Sequence, residues 1–370
     1  MHRKQIRHSY RHSYWSKRAV WAIALACSLI IGQVVPTAVG AESLQDIIRE
    51  AQKEGELNVT WGASTLGGTK GLAAFQDMIS KKYNVKIKIA ATPGPSMSRM
   101  ASRILQEQAA GRPSSSDLYI GADVHMPLVY KHNFFLPVNW VSIFPQMPAS
   151  AIELGGQIVR IYDGIQGFVY NTNLVPANEA PRKFEDMFKP KWENRLAATN
   201  FATGLDRWTY IVGEEKGVPA VKKFVDQYVK GLIRSTEFEK IANGQYPILA
   251  FSSSFGDAIQ LQEAGAPIDY SIVVDAPWMT TFYVGIPKNS FHPNAGKLLI
   301  SLVLSKEGQD ILWDTSRDGS HHVKGTKYSA WFQKKYADTK FTEFNAETMI
   351  KLQDQIGEIG KKYRDWLKGK

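Results

Sequence analysis

A strand, a polar loop and a helix follow one another repeatedly along this chain. Leu57, Val59 and Trp61 alternate as a strand, a glycine-rich loop covers residues 62–71, and Leu72, Phe75 and Ile79 fall at helical spacing before Val85, Ile87 and Ile89 alternate again. A Pro/Gly/Ser turn at 92–96 then opens a helix through Arg112, and residues 117–120 read as a short buried strand. The pattern resumes with strands at 164–170, 196–198, 248–251 and 270–274 and a helix from about Trp208. Such alternation builds parallel-type sheets with helices on both faces, and two sets of it imply two α/β lobes. Residues 127–148, rich in proline and aromatics without periodicity, read as a crossing between lobes. Ser43 with Asp46 forms a near capping box at the first helix, and Leu352, Ile356, Ile359, Tyr363 and Trp366 step by three and four along a last one.

The N-terminus follows another logic. Residues 1–18 carry six basic side chains and no acid, residues 19–35 are largely apolar, and small residues occupy 37–41. Together these make a secretory signal peptide, with cleavage near Ala41 and a periplasmic location for the rest. Ser28, Gly32 and Gln33 dilute the apolar run below what a membrane anchor needs. The net charge of +10 would suggest nucleic acid, but without the leader 39 basic residues face 35 acidic ones, and that partner is excluded. Cys27, the one cysteine, leaves with the leader, so neither a disulfide nor a thiolate metal site is open to the remainder.

Four loops between a strand and a helix are rich in Gly, Ser or Thr: 63–68, 93–98, 200–204 and 251–256. Ligands in open α/β sheets bind beyond the carboxyl ends of strands, where helix N-termini offer unpaired N–H groups. The candidate ligand-binding residues are therefore Ser64, Thr65, Ser96, Ser98, Thr203, Ser252, Ser253 and Ser254 as donors, with Arg99 placed for a bidentate grip on an anion. Asp123 and Asp275 would accept from an amine if the ligand is zwitterionic, and Tyr162 or Trp278 would stack on its apolar part. No nucleophile elbow, phosphate loop, zinc helix or dinucleotide fingerprint is present, and the five histidines beyond the leader form no ligand spacing. Neither an enzyme nor a bound cofactor or metal is expected.

Residues 54–60 (EGELNVT), 167–176 (GFVYNTNLVP), 184–192 (FEDMFKPKW) and 295–308 (AGKLLISLVLSKEG), in that order, resemble an extracellular solute-binding protein of an ABC importer. The branch resembled includes ferric-ion, thiamine, polyamine and aminophosphonate binders. The resemblance implies a two-lobed type II periplasmic-binding fold closing by a hinge on a small organic solute, anionic or zwitterionic, in a monomer that delivers it to permease subunits of the membrane. Expected boundaries are 1–41 for the signal peptide, 42–123 with 276–335 for one lobe, 124–275 for the other, and 336–370 for a C-terminal helical segment. The ferric members' histidine and glutamate correspond to Ser64 and Ala122, and their tyrosine pair to the serine loop, so a ferric receptor is the alternative less favoured by the residues. A sensor partner or a secreted enzyme on the same scaffold remains the other alternative.

Overall fold

The computed structural model describes residues 42–202, 204–234, 237–253 and 255–370. The expected signal peptide, Thr203 and Ser254 lie outside the described residues. Residues 42–370 form one compact unit. Among the described residues no helix is long and apolar enough to cross a membrane.

Helix α1 (Leu44–Glu54) starts on the expected box: Asp46 N donates to Ser43 Oγ at 3.2 Å and Ser43 N donates back to Asp46. Its buried face, Ile47 and Ala51, packs on α10 (Pro293–Val303). Strand β1 (Glu56–Trp61), α2 (Gly68–Tyr83) and β2 (Lys88–Pro93) make the parallel β-α-β unit that the alternation predicts. After α3 (Met97–Ala109), the segment leading to β3 (Tyr119–Ala122) is tied to β1 by Asp117 and Ser116, whose side chains accept from the backbone N–H groups of Asn58 and Thr60.

The chain continues through α4 (Met126–Lys131), α5 (Trp140–Ile143), β4 (Ile152–Glu153) and β5 (Ile158–Ile165). It then enters a second sheet with β6 (Gly167–Asn171), β7 (Leu196–Thr199), α6 (Leu205–Val212), α7 (Glu214–Lys223), β8 (Val229–Ile233), α8 (Glu239–Ala242), β9 (Ile248–Ser252), α9 (Phe255–Glu263) and β10 (Ile268–Ile272). It returns through β11 (Trp278–Gly285), α10, α11 (Lys306–Ser316), α12 (Lys327–Tyr336) and β12 (Thr342–Phe344) to α13 (Ala346–Leu367). One sheet runs β12-β11-β5-β4 with β3 also on β11, the other β10-β6-β9-β7-β8, with β1 and β2 paired apart.

Two expectations change. The sheets are mixed: β11 is antiparallel to β3 and β5, and β6 is antiparallel to β9 and β10. Periodicity tells which face a residue takes and not which way its neighbour runs. The first crossover also comes later than Asp123. Strand β5 pairs with β11, and Phe134, Phe135, Trp140 and Phe144 are all buried on the first sheet's side, so 127–148 is packed chain and the sheet changes at Gln166. One residue separates β5 from β6, and Gln166 N donates to Trp278 O at 3.2 Å, which fastens the outgoing strand to the returning one.

Each sheet has its own core. Leu57, Phe75, Ile79, Leu118, Phe144, Ile161 and Leu299 fill the first, while Phe168, Phe184, Trp192, Trp208 and Phe224 fill the second. The α13 stripe is seated there too, with Ile356, Ile359 and Tyr363 buried and Leu352 and Trp366 partly so. This helix also touches α4, so it spans from one core to the other.

Candidate functional site

Alternation along the crossing strand puts Tyr162, Gly164 and Gln166 on one face. What meets that face comes from both sheets. Tyr162 stacks on Phe282 of β11, with ring centroids 4.6 Å apart and planes 23° off parallel. A Cβ on Gly164 would stand 3.1 Å from Ser253 Cβ and 3.0 Å from the Phe282 ring, so the absence of a side chain lets the serine loop approach the crossing strand. Gln166 is buried and donates through Nε2 to Thr280 Oγ1 at 2.9 Å; its Oε1 has no hydrogen-bond partner and faces the turn at Gly204 beside Phe251.

Helix α9 begins just after Ser253 and runs along the end of α11. A Cβ on Gly256 would stand 2.4 Å from Ser316 O and 3.0 Å from Asp318 Oδ1, so the two segments touch backbone to backbone. Gln260 Nε2 donates to Thr315 O at 2.9 Å, and Arg317 pairs with Glu263. Two carboxylates, Asp257 in the first turn of α9 and Asp318 after α11, thereby come close to each other and to Tyr162. Burial pushes Asp257 up to about 6. Burial pushes Asp318 up to about 7, against a hydrogen bond from Ser316 and with help from the charge of Asp257. The Tyr162 phenol is raised by burial and then by these two carboxylates. Among the described residues no cation offsets either one.

Of the residues singled out in the sequence, the structure brings Tyr162, Ser252 and Ser253 to this crossing. Ser252 is buried at the end of β9, and Ser253 is half-buried. Ser64 is exposed and Thr65 half-buried in a loop whose Gly67 abuts Thr315 of α11. Ser96 and Ser98 are exposed at the start of α3 with their hydroxyls 3.3 Å apart, and Arg99 beside them is exposed. Asp275 is exposed between β10 and β11.

Two others are used internally. Asp123 is wholly buried: its carboxylate accepts from Arg207 Nη2 of α6, and from Thr281 N at 3.3 Å. Arg207, itself wholly buried, also contacts Asp206 and lies over the Phe344 ring at 5.4 Å. Asp123 is thus the counter-ion of a helix of the second sheet and not an acceptor open to a solute. Trp278 is fully buried against Phe251 in the second core, with ring centroids 5.1 Å apart, so its ring packs and does not stack on a ligand.

Asp257, Asp318 and Gln166 were not among the sequence candidates. An aspartate in a first helical turn reads as an ordinary cap partner, and one before a glycine reads as a turn. Only the meeting of α9 with the end of α11 distinguishes them.

A second polar cluster, His321, His322 and Glu343, has ligand atoms within 4.8 Å of one another. Arg160 Nη1 donates to His322 Nε2 at 2.7 Å and to Glu343 Oε2 at 2.6 Å, so a guanidinium fills the position that a metal cation would take. His321 Nδ1 lies 2.7 Å from Asp163 Oδ2, and its backbone N donates to the same oxygen. Burial lowers the His321 imidazolium's acidity range, but the carboxylates of Asp163 and Glu343 outweigh it and hold the group up at about 9. The cluster straps the loop carrying Asp318 onto β5. Two surface grooves of about 610 and 630 Å³ lie elsewhere, and neither receives α9 together with the crossing strand.

Two α/β sheets joined through crossing strands, with polar groups of both facing one another at the joint, define a two-lobed binding-protein fold. The model of the family described as bacterial extracellular solute-binding protein matches residues 117–331, more than half of the chain, and the protein belongs to that family. An uncharacterized protein of Haemophilus influenzae is 26% identical over 172 residues, which are 43% of this chain and 48% of that protein, so the match spans about half the length of this curated relative. The crystal structure of the substrate binding protein of an ABC transporter from Agrobacterium tumefaciens is similar with a TM-score of 0.68 and 15% identity over 85% of this chain and 94% of that one. The periplasmic binding protein AfuA from Actinobacillus pleuropneumoniae, with fructose-6-phosphate bound, is similar with a TM-score of 0.65 and 20% identity over 85% and 98% of the two chains. At such identities the likeness to the solved structures concerns the fold.

Proposed function

We propose that the protein is the solute-capturing receptor of an ABC importer, exported to the periplasm, which takes one small organic solute at the strand crossing and delivers it to permease subunits. The observation that carries this reading is the arrangement at the crossing: Ser253 and Asp257 from the second sheet's side face Tyr162, Phe282 and Asp318 from the first. A solute held by both sides stabilises the closed arrangement through contacts that the open one lacks. Ser64, Thr65, Ser96, Ser98 and Arg99 supply the outer contacts from the first lobe, and Asp275 one from the second; Thr203 and Ser254 are proposed as further ligand contacts from their sequence alone. The role needs no catalytic group: the histidines at 321 and 322 are engaged by Asp163 and Arg160. Cleavage near Ala41 and a monomeric receptor belong to the same proposal.

The test is to isolate the protein from the periplasm, denature it, and identify released small molecules by mass spectrometry. A stoichiometric solute that, added back, contracts the protein in small-angle X-ray scattering is the expected result. Failure to recover any solute, with no contraction on adding periplasmic small molecules, would end the receptor reading.

A further inference from the structure

Among the described residues, the polar groups at the crossing left without a counter-charge or a donor are acceptors. Asp257 and Asp318 converge from α9 and from the turn after α11, one from each lobe, and each is partly buried without a counter-ion. Arg317, next to Asp318 in the chain, is already engaged, since it donates to Glu263 and, through Nη1, to Trp313 O at 2.6 Å. Gln166 is 3% exposed, on the same strand face as Tyr162, and its unpartnered Oε1 adds a neutral acceptor beside the serine loop. An acceptor this deeply buried and left unpaired is destabilising, a penalty that a donor arriving with the ligand would remove. Two half-buried carboxylates held together without a cation incur a penalty of their own, and a hydrogen-bonding cation between them relieves it.

We infer that the crossing is built to receive the positively charged nitrogen end of the solute, an ammonium or guanidinium group gripped by Asp257 and Asp318 from opposite lobes, with Gln166 Oε1 left to accept from a donor further along it. This rests on reading the crossing as the solute site, and it departs from the anion expected from Arg99 and the helix N-termini. The stacked Tyr162 and Phe282 rings provide the apolar wall along which the carbon chain carrying the nitrogen lies, and aromatic faces also attract such cations. The Ser253 hydroxyl is left for a polar group further along the solute.

The test measures thermal unfolding of the exported protein with putrescine, agmatine, arginine and tetramethylammonium, and in parallel with glucose 6-phosphate, citrate, inorganic phosphate and calcium. Asp257→Asn and Asp318→Asn keep shape while removing charge and relieve an electrostatic penalty, so both variants are expected to fold at least as stably as the wild type. The expected result is an upward shift with at least one nitrogen cation, and an affinity for it weakened about tenfold to a hundredfold in each variant. A shift with an anion or with calcium and none with the nitrogen cations overturns the inference and leaves the receptor reading standing. A nitrogen cation that binds both variants as well as the wild type overturns it too, as does the absence of any shift; the receptor reading is then decided separately by the solute recovered from the periplasm.

Discussion

Arg317 and Glu263 are joined across the two lobes by a forked ion pair, with Nε 3.1 Å from Oε1 and Nη2 2.8 Å from Oε2. Arg317 caps the end of α11 in a left-handed conformation, φ 59°, and Glu263 ends α9, so the pair fastens the far end of the helix whose first turn carries Asp257. With Glu263 about half exposed, it is worth about 0.2–1 kcal/mol. Glu263→Ala is expected to raise the radius of gyration of the solute-free protein and to weaken solute binding by up to about fivefold, with unfolding by denaturant nearly unchanged. Small-angle scattering and titration calorimetry make the comparison.

The buried pair of Asp123 and Arg207 is a different kind of contact, because neither partner meets water. Removing the carboxylate strands a guanidinium in the interior, and such a change costs about 3–5 kcal/mol. Asp123→Ala is accordingly expected to lower the urea midpoint strongly. A midpoint within error of the wild type would mean that Arg207 finds another partner, with Asp206 the one in contact.

Asp257 and Asp318 give a pH signature without any ligand. Both hold their protons more tightly in the folded protein than the ordinary 3.8, so they favour folding fully below that value. The contribution is lost as the pH rises through about 6 and about 7. A double variant with asparagine at both positions should gain on the wild type in melting temperature between pH 4 and pH 7.5 and hold that gain constant above. A difference independent of pH would show that the two groups titrate normally.

His321 follows the same sign at higher pH, but here the charged form is the one the fold holds. Its folded value of about 9 exceeds the ordinary 6.5, so the ion pairs with Asp163 and Glu343 stabilise the protein fully below pH 6.5, and this contribution disappears as the pH passes about 9. His321→Gln is expected to cost about 1.5–3 kcal/mol at pH 6 and much less at pH 10, read from urea unfolding at the two pH values.

Gly164 sets how closely the serine loop approaches the crossing strand. Gly164→Val would drive methyl groups against Ser253 and Phe282, and overpacking of this kind costs about 1–3 kcal/mol. Because the lobes can relieve the clash by parting, the expected outcome is loss of solute binding with a larger radius of gyration, and little change in far-UV circular dichroism.

Much of the scaffold is legible in the sequence, because periodicity and capping are local. The capping box at Ser43, the unit from β1 to β2 and the stripe along α13 all lie where spacing places them. The sheet change at Gln166 is not legible, since β5 and β6 read as one run and only the pairing with β11 divides them. Within the site, Tyr162 and Ser253 stand near a strand end and a loop whose patterns announce them. Trp278 misleads because an aromatic at the start of a strand reads alike whether it faces a solute or a core. Asp123 misleads because its partner, Arg207, lies 84 residues further along the chain. Asp257 and Asp318 escape notice for a related reason: what sets them apart is proximity between segments far apart in sequence.

A joint only one residue long, as Gln166 is between β5 and β6, leaves no slack for sliding; it permits twist and bend alone. With the returning strand fastened to it through Trp278, any hinging of the lobes would turn about a short axle, and displacement would grow with distance from that axle. Tyr162 and Gln166 sit on it and would scarcely travel in such a turn, whereas the outer loops at Ser64 and Ser98 would sweep longer arcs. A receptor that works as proposed would then be a lever in which the group nearest the fulcrum selects what is held, and the far ends amplify that choice into a change large enough for another protein to feel.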